Sequence, residues 1–396
     1  MKTSNAVHYL DHASMGRPGR ETLRRMREEL AEVARVSSSG TDETLRELVA
    51  VENARKRVAK FIHADPQNVL LVGNTTQALG MVATSLPLRR GDNILMADSE
   101  FMGAPIVWRG VCRRVGVELL PVRSVAGRVL AEQYAERANS RTRAIFVSAV
   151  QEVSGYRADL RAIREVASRS DAYLIVDGIQ EVGARPVDFE KLNVDAYCAG
   201  GHKWLRSPFG LGFACLAPRL REILDPPFQG YFALAEPEQG WDNYMGLSTK
   251  TPFDPLPERR DAGRMETGGF LNWLGAVALD AAIGELDAIG AVRVWKRISE
   301  LRNRLVKGLA GMGLEVLGGA DAPDEAHAGI TTFCMPGGPD EEKQLVQRLA
   351  HARIFLVMRY VSGVGGIRVA VHESNKSGDV DALLAVTKRF LAKRKK

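Results

Sequence analysis

The sequence predicts an α/β protein: a mostly parallel seven-stranded sheet sandwiched by helices, followed by a smaller α+β domain. Three observations carry that prediction. Seven short runs rich in β-formers, NVLLVG, DNILMA, VELLPV, RAIFVSAV, AYLIVD, DAYCAG and GFACLA, recur between residues 68 and 217. They are near-continuously apolar, as strands covered on both faces must be, and amphipathic stretches separate several of them. Past Asp225 the texture changes to a connection rich in Pro, Gly and aromatics, after which helices and strands resume.

Taken in order, Thr41 and Asp42 open a helix through TLRELVAVENARKRVAKFI, with Leu45, Leu48, Val49 and Val58 at helical spacing. Among the crossovers, DLRAIREVASR puts Leu160, Ile163 and Val166 on one face. The connection reads DPPFQGYFALAEPEQGWDNY and then TPFDPLPERRDAG. A long helix is expected from about Asn272, then a second in RISELRNRLVKGLAGM, with Ile298, Leu301, Leu305 and Leu309 on one face. Strands GITTFCMP, RIFLVMRYV and GIRVAV follow, with a last helix from about Asp379. The expected division is a large domain over residues 20–265 and a small one built from residues 1–19 and 266–396.

A chain of 396 residues, 45% hydrophobic and 26% charged, excludes disordered and fibrous classes and suffices for about two to three domain-sized units. The formal charge of +6 invites thoughts of nucleic acid or an anionic membrane. Six of the 54 basic residues, however, lie in the terminal KRFLAKRKK, which leaves 48 bases against 48 acids in the body. Nucleic-acid binding would need a basic patch interleaved with aromatics, and none is present. No apolar leader-like run opens the chain, and no stretch reaches the roughly 18 uncharged apolar residues of a spanning helix, so a soluble cytoplasmic protein is expected. The four cysteines, Cys112, Cys198, Cys215 and Cys334, are far apart and read as buried free thiols. His8 and His12 are four apart, but their segment reads as extended and Gly16 and Pro18 follow, so no metal site is expected.

Ligands of open α/β sheets sit beyond the carboxyl ends of the strands, so polar residues placed there are where chemistry is sought. AYLIVD leaves Asp177 at the edge of an apolar run, followed by Gly178 and Gln180. Such an aspartate serves as a cap or turn residue. A carboxylate so placed also costs desolvation unless it meets a cation, and a protonated ring nitrogen is such a partner. DAYCAGGHKWLRSPFGLGF places Gly200, Gly201, His202 and Lys203 directly after a strand, flanked by Trp204 and a further apolar strand. Partial burial lowers an amine from its usual pKa of about 10.4, which suits it to Schiff-base formation and proton transfer. NVLLVGNTTQALGMVATSL reads as strand, Gly73, Asn74, Thr75, Thr76, then helix: either an ordinary N-cap or an anion site suited to phosphate. A phosphate cradle, an aspartate for a pyridine nitrogen and a pocketed lysine are together the parts that hold pyridoxal phosphate. No GxxxxGK[ST] occurs, and the glycine cluster SGVGGIR precedes a strand, the wrong context for a dinucleotide loop.

These residues resemble the class V aminotransferase family of fold-type I pyridoxal-phosphate enzymes, which includes cysteine desulfurases and isopenicillin N epimerase-like proteins. The resemblance runs from YLDHASMG through GNTTQALGMV, SEFMGAPIVW, SAVQEVSGYRADL, VDGIQEVGARPVD and GGHKWLRSPFGLG to RMETGGFLN and GGIRVAVHESN. It implies that Lys203 is the Schiff-base lysine and that Asp177 pairs with the pyridinium nitrogen. Gln151 and Gln180 fall where relatives hydrogen-bond the phenolic oxygen, and Thr75, Thr76 and His202 match phosphate contacts. Phe101 falls where a ring stacks on the cofactor, with a core phenylalanine as the other reading. Arg368 falls where an arginine grips the substrate α-carboxylate. Gly268 and Gly269 belong to a loop that reaches the phosphate of the other subunit, so a homodimer is implied.

The chain departs from the family pattern in places. Residues 352–367 lack the cysteine with which desulfurases accept sulfur, Gly200 stands where many relatives have Ser, and Phe101 replaces a stacking histidine. His12 and Ser14, together with Phe228, Tyr231, Phe232, Trp241 and Tyr244 of the connection, either set side-chain specificity or pack between domains. The resemblance implies an enzyme acting on an amino acid through a Schiff base with its substrate, an aminotransferase in the first place. A lyase of the cysteine desulfurase or selenocysteine lyase kind, or an epimerase, is the alternative, and a non-catalytic cofactor-binding protein a remoter one. Expected partners are a small amino-acid substrate and a second copy of the chain, with neither nucleic acid nor membrane.

Overall fold

The structure, a computed structural model, describes residues 6–36, 41–266, 272–319 and 323–394. Strand β1 (His8–Tyr9) is followed by helices α1 (Arg20–Val36) and α2 (Thr41–Phe61). Then come β2 (Val69–Val72), α3 (Thr75–Ser85), β3 (Asn93–Ala97), α4 (Gly103–Val115), β4 (Glu118–Val122) and α5 (Ala131–Arg137). The alternation continues with β5 (Thr142–Ser148), α6 (Leu160–Arg169), β6 (Tyr173–Asp177), α7 (Phe189–Leu192), β7 (Ala196–Gly200) and β8 (Gly212–Leu216).

Strands β2 to β8 are the seven apolar runs of the sequence, and they form one sheet in the order β2-β8-β7-β6-β5-β3-β4. Only β8 runs against its neighbours. Successive residues feed two cores on opposite faces: Leu71, Leu95, Ile145, Leu174 and Val176 enter one, Leu70, Ile94, Met96, Phe146 and Ile175 the other. That is why these strands carry no polar alternation. Strand β4 is the exception; it lies at an edge, includes Pro121 and exposes Glu118, which suits a strand with one free side.

The remaining elements are α8 (Pro218–Arg221), α9 (Trp241–Gly246), α10 (Trp273–Ile289), α11 (Ala291–Ala310), β9 (Glu315–Val316), β10 (Ile330–Cys334) and α12 (Gly338–His351). They are followed by β11 (Ile354–Phe355), β12 (Val357–Val361), β13 (Val364–Ala370) and α13 (Ser377–Arg394). Strands β12, β13, β10 and β9 make a four-stranded antiparallel sheet, while β11 pairs in parallel with β1 from the other end of the chain. Residues 388–394 of the basic tail continue α13, where Phe390 and Leu391 pack against the core.

Three sequence expectations are corrected. RIFLVMRYV is two strands in two sheets, because the chain changes partner at buried Leu356. Of the glycines in SGVGGIR, Gly365 and Gly366 lie inside β13 rather than before it, and only Gly363 is in the turn that precedes it. A Cβ on Gly366, whose φ is +151°, would stand 2.4 Å from the Phe333 carbonyl oxygen, so glycine lets β13 approach β10. Val49 is 57% exposed; the buried stripe of α2 contains Val51, Ala54 and Val58.

Helix α2 is tied to the sheet by a buried ion pair. Arg55 Nη1 donates to Glu266 Oε1 at 2.6 Å and to the Val69 carbonyl at 2.8 Å, and the same Glu266 oxygen accepts from Leu71 N at 2.7 Å. Glu266 directly precedes residues 267–271, so the expected phosphate contacts Gly268 and Gly269 lie outside the described residues. Glu266→Ala leaves the buried Arg55 guanidinium only the Glu52 carboxylate at its outer side and Leu71 N without an acceptor, and is expected to lower unfolding stability by about 3 kcal/mol. Denaturant unfolding followed by circular dichroism checks it, and a loss under about 1 kcal/mol, the range of exposed pairs, contradicts it.

Candidate active site

Three strand ends meet at one edge of the large sheet. The register places Val72 of β2 opposite Gly212 of β8, and Gly212 opposite Gly200 of β7, so the residues after β2 and β7 lie close together. After β2, Asn74 caps α3, its Oδ1 accepting from Gln77 N at 2.9 Å, while Gln77 Oε1 accepts from Gly73 N at 2.7 Å. This cap leaves Thr75 next to Gly200, buried and with its Oγ1 unpartnered. A Cβ on Gly200 would come within 3.0 Å of the His202 ring and 3.1 Å of Thr75 Oγ1, so glycine keeps the gap between them open.

Asp177 ends β6. Its Oδ1 accepts from Ile179 N at 2.9 Å, and burial pushes its carboxyl up to about 6, against the pull of Lys203. After β7 the backbone turns through Gly201 and His202 to Lys203. Burial lowers the Lys203 amine, while Asp177 and Glu152 act in the opposite sense. Burial and the Lys203 charge bring His202 down to about 4, so its ring is neutral at physiological pH. The N-terminal segment is laced over this turn: Gly16 N donates to the His202 carbonyl at 2.8 Å. A Cβ on Gly16 would stand 1.9 Å from the Lys203 carbonyl oxygen, so no other residue fits there without displacing the turn.

These groups line a cavity of about 340 Å³. Of the residues singled out in the sequence, Ser14, Thr75, Thr76, Phe101, Asp177, Gln180, His202, Lys203 and Arg368 border it. Phe101 is 44% exposed, with Lys203 Nζ 5.7 Å from its ring centroid, so it is a wall of the cavity and not a core residue. Arg368, on β13, donates from Nη2 to Ser14 Oγ at 2.7 Å and to Asp11 Oδ1 at 3.1 Å. Its Nη1 meets the Glu152 carbonyl at 3.1 Å and carboxylate at 3.6 Å.

Two of the singled-out residues face elsewhere. Gln151 accepts from Ser99 Oγ at 2.8 Å and donates to Glu100 Oε1 at 3.2 Å, behind the cavity wall. His12 is buried with its ring against Tyr9 and His372. The aromatic connection is also elsewhere: Phe232 and Trp241 line a separate cavity beside α2, and Phe228 is exposed. None of the four cysteines borders the cavity; Cys334 donates its Sγ–H to the Gly365 carbonyl.

Glu152 and Arg359 border the cavity and were not singled out. Glu152 lies in the turn that follows β5, where Val150 and Glu152 border the cavity and Gln151 turns away.

The pattern that defines the aminotransferase class-V family matches residues 8–383. The chain belongs to that family. Among similar proteins, isopenicillin N epimerase of Streptomyces clavuligerus is 30% identical over 316 residues, 78% of this chain and 76% of that one. A probable cysteine desulfurase of Pyrococcus abyssi (strain GE5 / Orsay) is 25% identical over 349 residues, 86% of this chain and 83% of its own. The fold is that of the fold-type I enzymes. A structure of the cystine C–S lyase C-DES with its product cysteine persulfide superposes with a TM-score of 0.86 at 21% identity, covering 98% of this chain and 97% of the other.

Pyridoxal 5′-phosphate is the cofactor of this class-V family, and the cavity fits it. Thr75 Oγ1 is a buried hydroxyl without a partner, at the N-terminus of an 11-residue helix, as a phosphate requires. Asp177 uses only Oδ1 in the hydrogen bond to Ile179, and Lys203 is buried in the same cavity.

Behind this wall of the class-V site lies Glu100, which accepts from Ser148 N and Gln151 Nε2 and pairs with Ser148 Oγ. Burial pushes its carboxyl up to about 7 from an ordinary 4.5, although those bonds pull it down. A folded-state pKa above the unfolded one means stability that is complete below pH 4.5 and is lost as pH rises through 7. Glu100→Gln keeps the hydrogen bonds without the titration. It is expected to match the parent near pH 4.5 and to exceed it by about 2–3 kcal/mol at pH 8. Urea unfolding of the cofactor-free protein at both pH values measures this, and a difference independent of pH contradicts it.

Proposed function

We propose that this protein is a pyridoxal-phosphate-dependent enzyme that acts on an α-amino acid and transfers its amino group. The observation that carries the reading is Lys203, a buried amine of lowered pKa in a cavity with Asp177 and Arg368. When bound, the cofactor supplies an electron-withdrawing ring that stabilises negative charge at the substrate Cα. In this reading Thr75, Thr76, His202 and the first amides of α3 hold the phosphate, and Phe101 gives the ring a face to stack on. Asp177 keeps the ring nitrogen protonated, because a cation beside it relieves the desolvation that otherwise raises its own pKa. Arg368 takes the substrate α-carboxylate.

Lys203 then works as general base. Burial lets Nζ shed its proton more readily than a surface lysine does, so it can take the proton from Cα. Amino-group transfer needs a single base moving a proton along one side of the substrate. Epimerisation needs a second donor on the other side, and Phe101, whose ring lies 5.7 Å from Lys203 Nζ, has no proton to give. A second reading is a lyase that expels a β-substituent, supported by the likeness to cysteine desulfurases. A relay through a protein persulfide is disfavoured, because no cysteine borders the cavity.

The test is to load the protein with pyridoxal phosphate, add single amino acids, and follow the absorbance and products. Conversion of the cofactor to its amine form with release of a keto acid supports transfer. Release of pyruvate and ammonia with sulfide or persulfide, or of alanine with sulfur passed to an added thiol, the cofactor unchanged, supports the lyase and overturns transfer. Borohydride is expected to fix the cofactor to Lys203 and to leave Lys203→Ala unlabelled; a labelled variant displaces Lys203 from its role. Arg368→Ala is expected to raise KM for the amino acid at least tenfold, about 1.4 kcal/mol, with cofactor affinity little changed. An unchanged KM removes Arg368 from substrate binding.

A further inference from the structure

Gln180 borders the cavity and is almost completely buried, and both ends of its amide are held from outside. Trp204 Nε1 donates to Gln180 Oε1 at 2.8 Å, and Gln180 Nε2 donates to the Ala13 carbonyl at 3.1 Å. An indole N–H can only donate, and a backbone carbonyl can only accept. Two partners of opposite character, on different parts of the chain, therefore demand the same orientation of the amide. The usual ambiguity of a glutamine flip does not arise here. One N–H of Gln180 is left over.

Trp204 is itself locked in place. It is fully buried, its carbonyl meets His372 Nε2 at 2.9 Å, and its ring stacks on His372 at 5.7 Å with an interplanar angle of 23°. Gly329, just before β10, makes room for it: a Cβ there would lie 2.4 Å from the indole.

We propose that Trp204 is a positioning residue that holds Gln180 as a hydrogen-bond donor to the phenolic oxygen of the cofactor. This rests on the pyridoxal-phosphate reading of the cavity. A donated hydrogen bond stabilises the anionic form of that oxygen, whereas the flipped amide would turn lone pairs toward it. The indole N–H thus decides the sign of Gln180's effect, although it does not itself touch the ligand.

The readout is the pH midpoint at which the absorbance of the bound cofactor changes in the holoenzyme. Loss of a donor to the anionic form raises that midpoint. Gln180→Leu is expected to raise it by about one pH unit, and Trp204→Phe by about half a unit or more. The double variant is expected to equal Gln180→Leu alone, since Trp204 acts only through Gln180. Should Trp204→Phe fail to fold, β-(3-benzothienyl)alanine at position 204 keeps the shape of the ring and replaces only N–H by sulfur, and the same shift is expected. A folded holoenzyme with an unchanged midpoint in either Trp204 variant, or shifts that add in the double variant, overturns the proposal. A protein that binds no pyridoxal phosphate overturns the functional reading, and this proposal with it.

Discussion

An amine and a carboxyl kept out of water in the same cavity are the demand around which this molecule is arranged. Desolvation lowers Lys203 and raises Asp177, and each offsets part of the cost of the other. Neither would keep its place on a mobile loop, since a side chain that can reach water will do so. Asp177 instead ends a buried strand, β6, and Lys203 sits in the short turn directly after another, β7, while the pairing of β2, β8 and β7 brings the start of α3 to the same place. The two hydrophobic cores on either side of the sheet therefore do more than stabilise the fold. They hold the strand ends still enough for a few polar atoms to be left waiting for a ligand.

Much of this could be read in the sequence because its strongest signals are physical ones. Strands covered on both faces must be apolar throughout, so all seven were visible as runs. A lysine between glycines and an apolar strand, or an aspartate closing VDG, stands out against that background. What could not be read depends on contacts between distant segments. The partner change at Leu356 follows from β1 and β11 meeting across most of the chain length. The glycines within β13 answer to the nearness of other strands, Gly365 to Arg359 and Tyr360 of β12 and Gly366 to Phe333 of β10. Gln151 and Glu152 are neighbours in the turn after β5: the one picked out lies behind the wall and the one passed over lies in it. His12 is claimed by His372, and the aromatic connection by a cavity beside α2.

Membership of the class-V family settles less about the reaction than about the fold. A base, an acid for the ring nitrogen and a phosphate cradle serve amino-group transfer, elimination and epimerisation alike. Distinctions among these reactions have to come from groups outside that shared set. Here they are an apolar ring at Phe101, a cavity without cysteine, and a tight hairpin from β12 to β13 with only Ser362 and Gly363 at its turn. Arg368 is further distinguished by its company, lying between the carboxylates of Asp11 and Glu152. Any anion approaching it has to compete with both.

The lacing of the N-terminal segment over the Lys203 turn has a consequence for how the molecule comes into being. Asp11 and Ser14 meet Arg368 more than 350 residues away, and β1 has no strand partner until β11 exists. The large sheet can assemble from neighbouring units while the chain is still being made. The end of the cavity that holds Arg368 cannot. Such long-range closure is slow and falls late in folding, so during synthesis the chain passes through a period in which a finished sheet carries an unfinished site. Any ligand taken up in that interval meets strand ends, helix N-terminus and lysine first, and the arginine last.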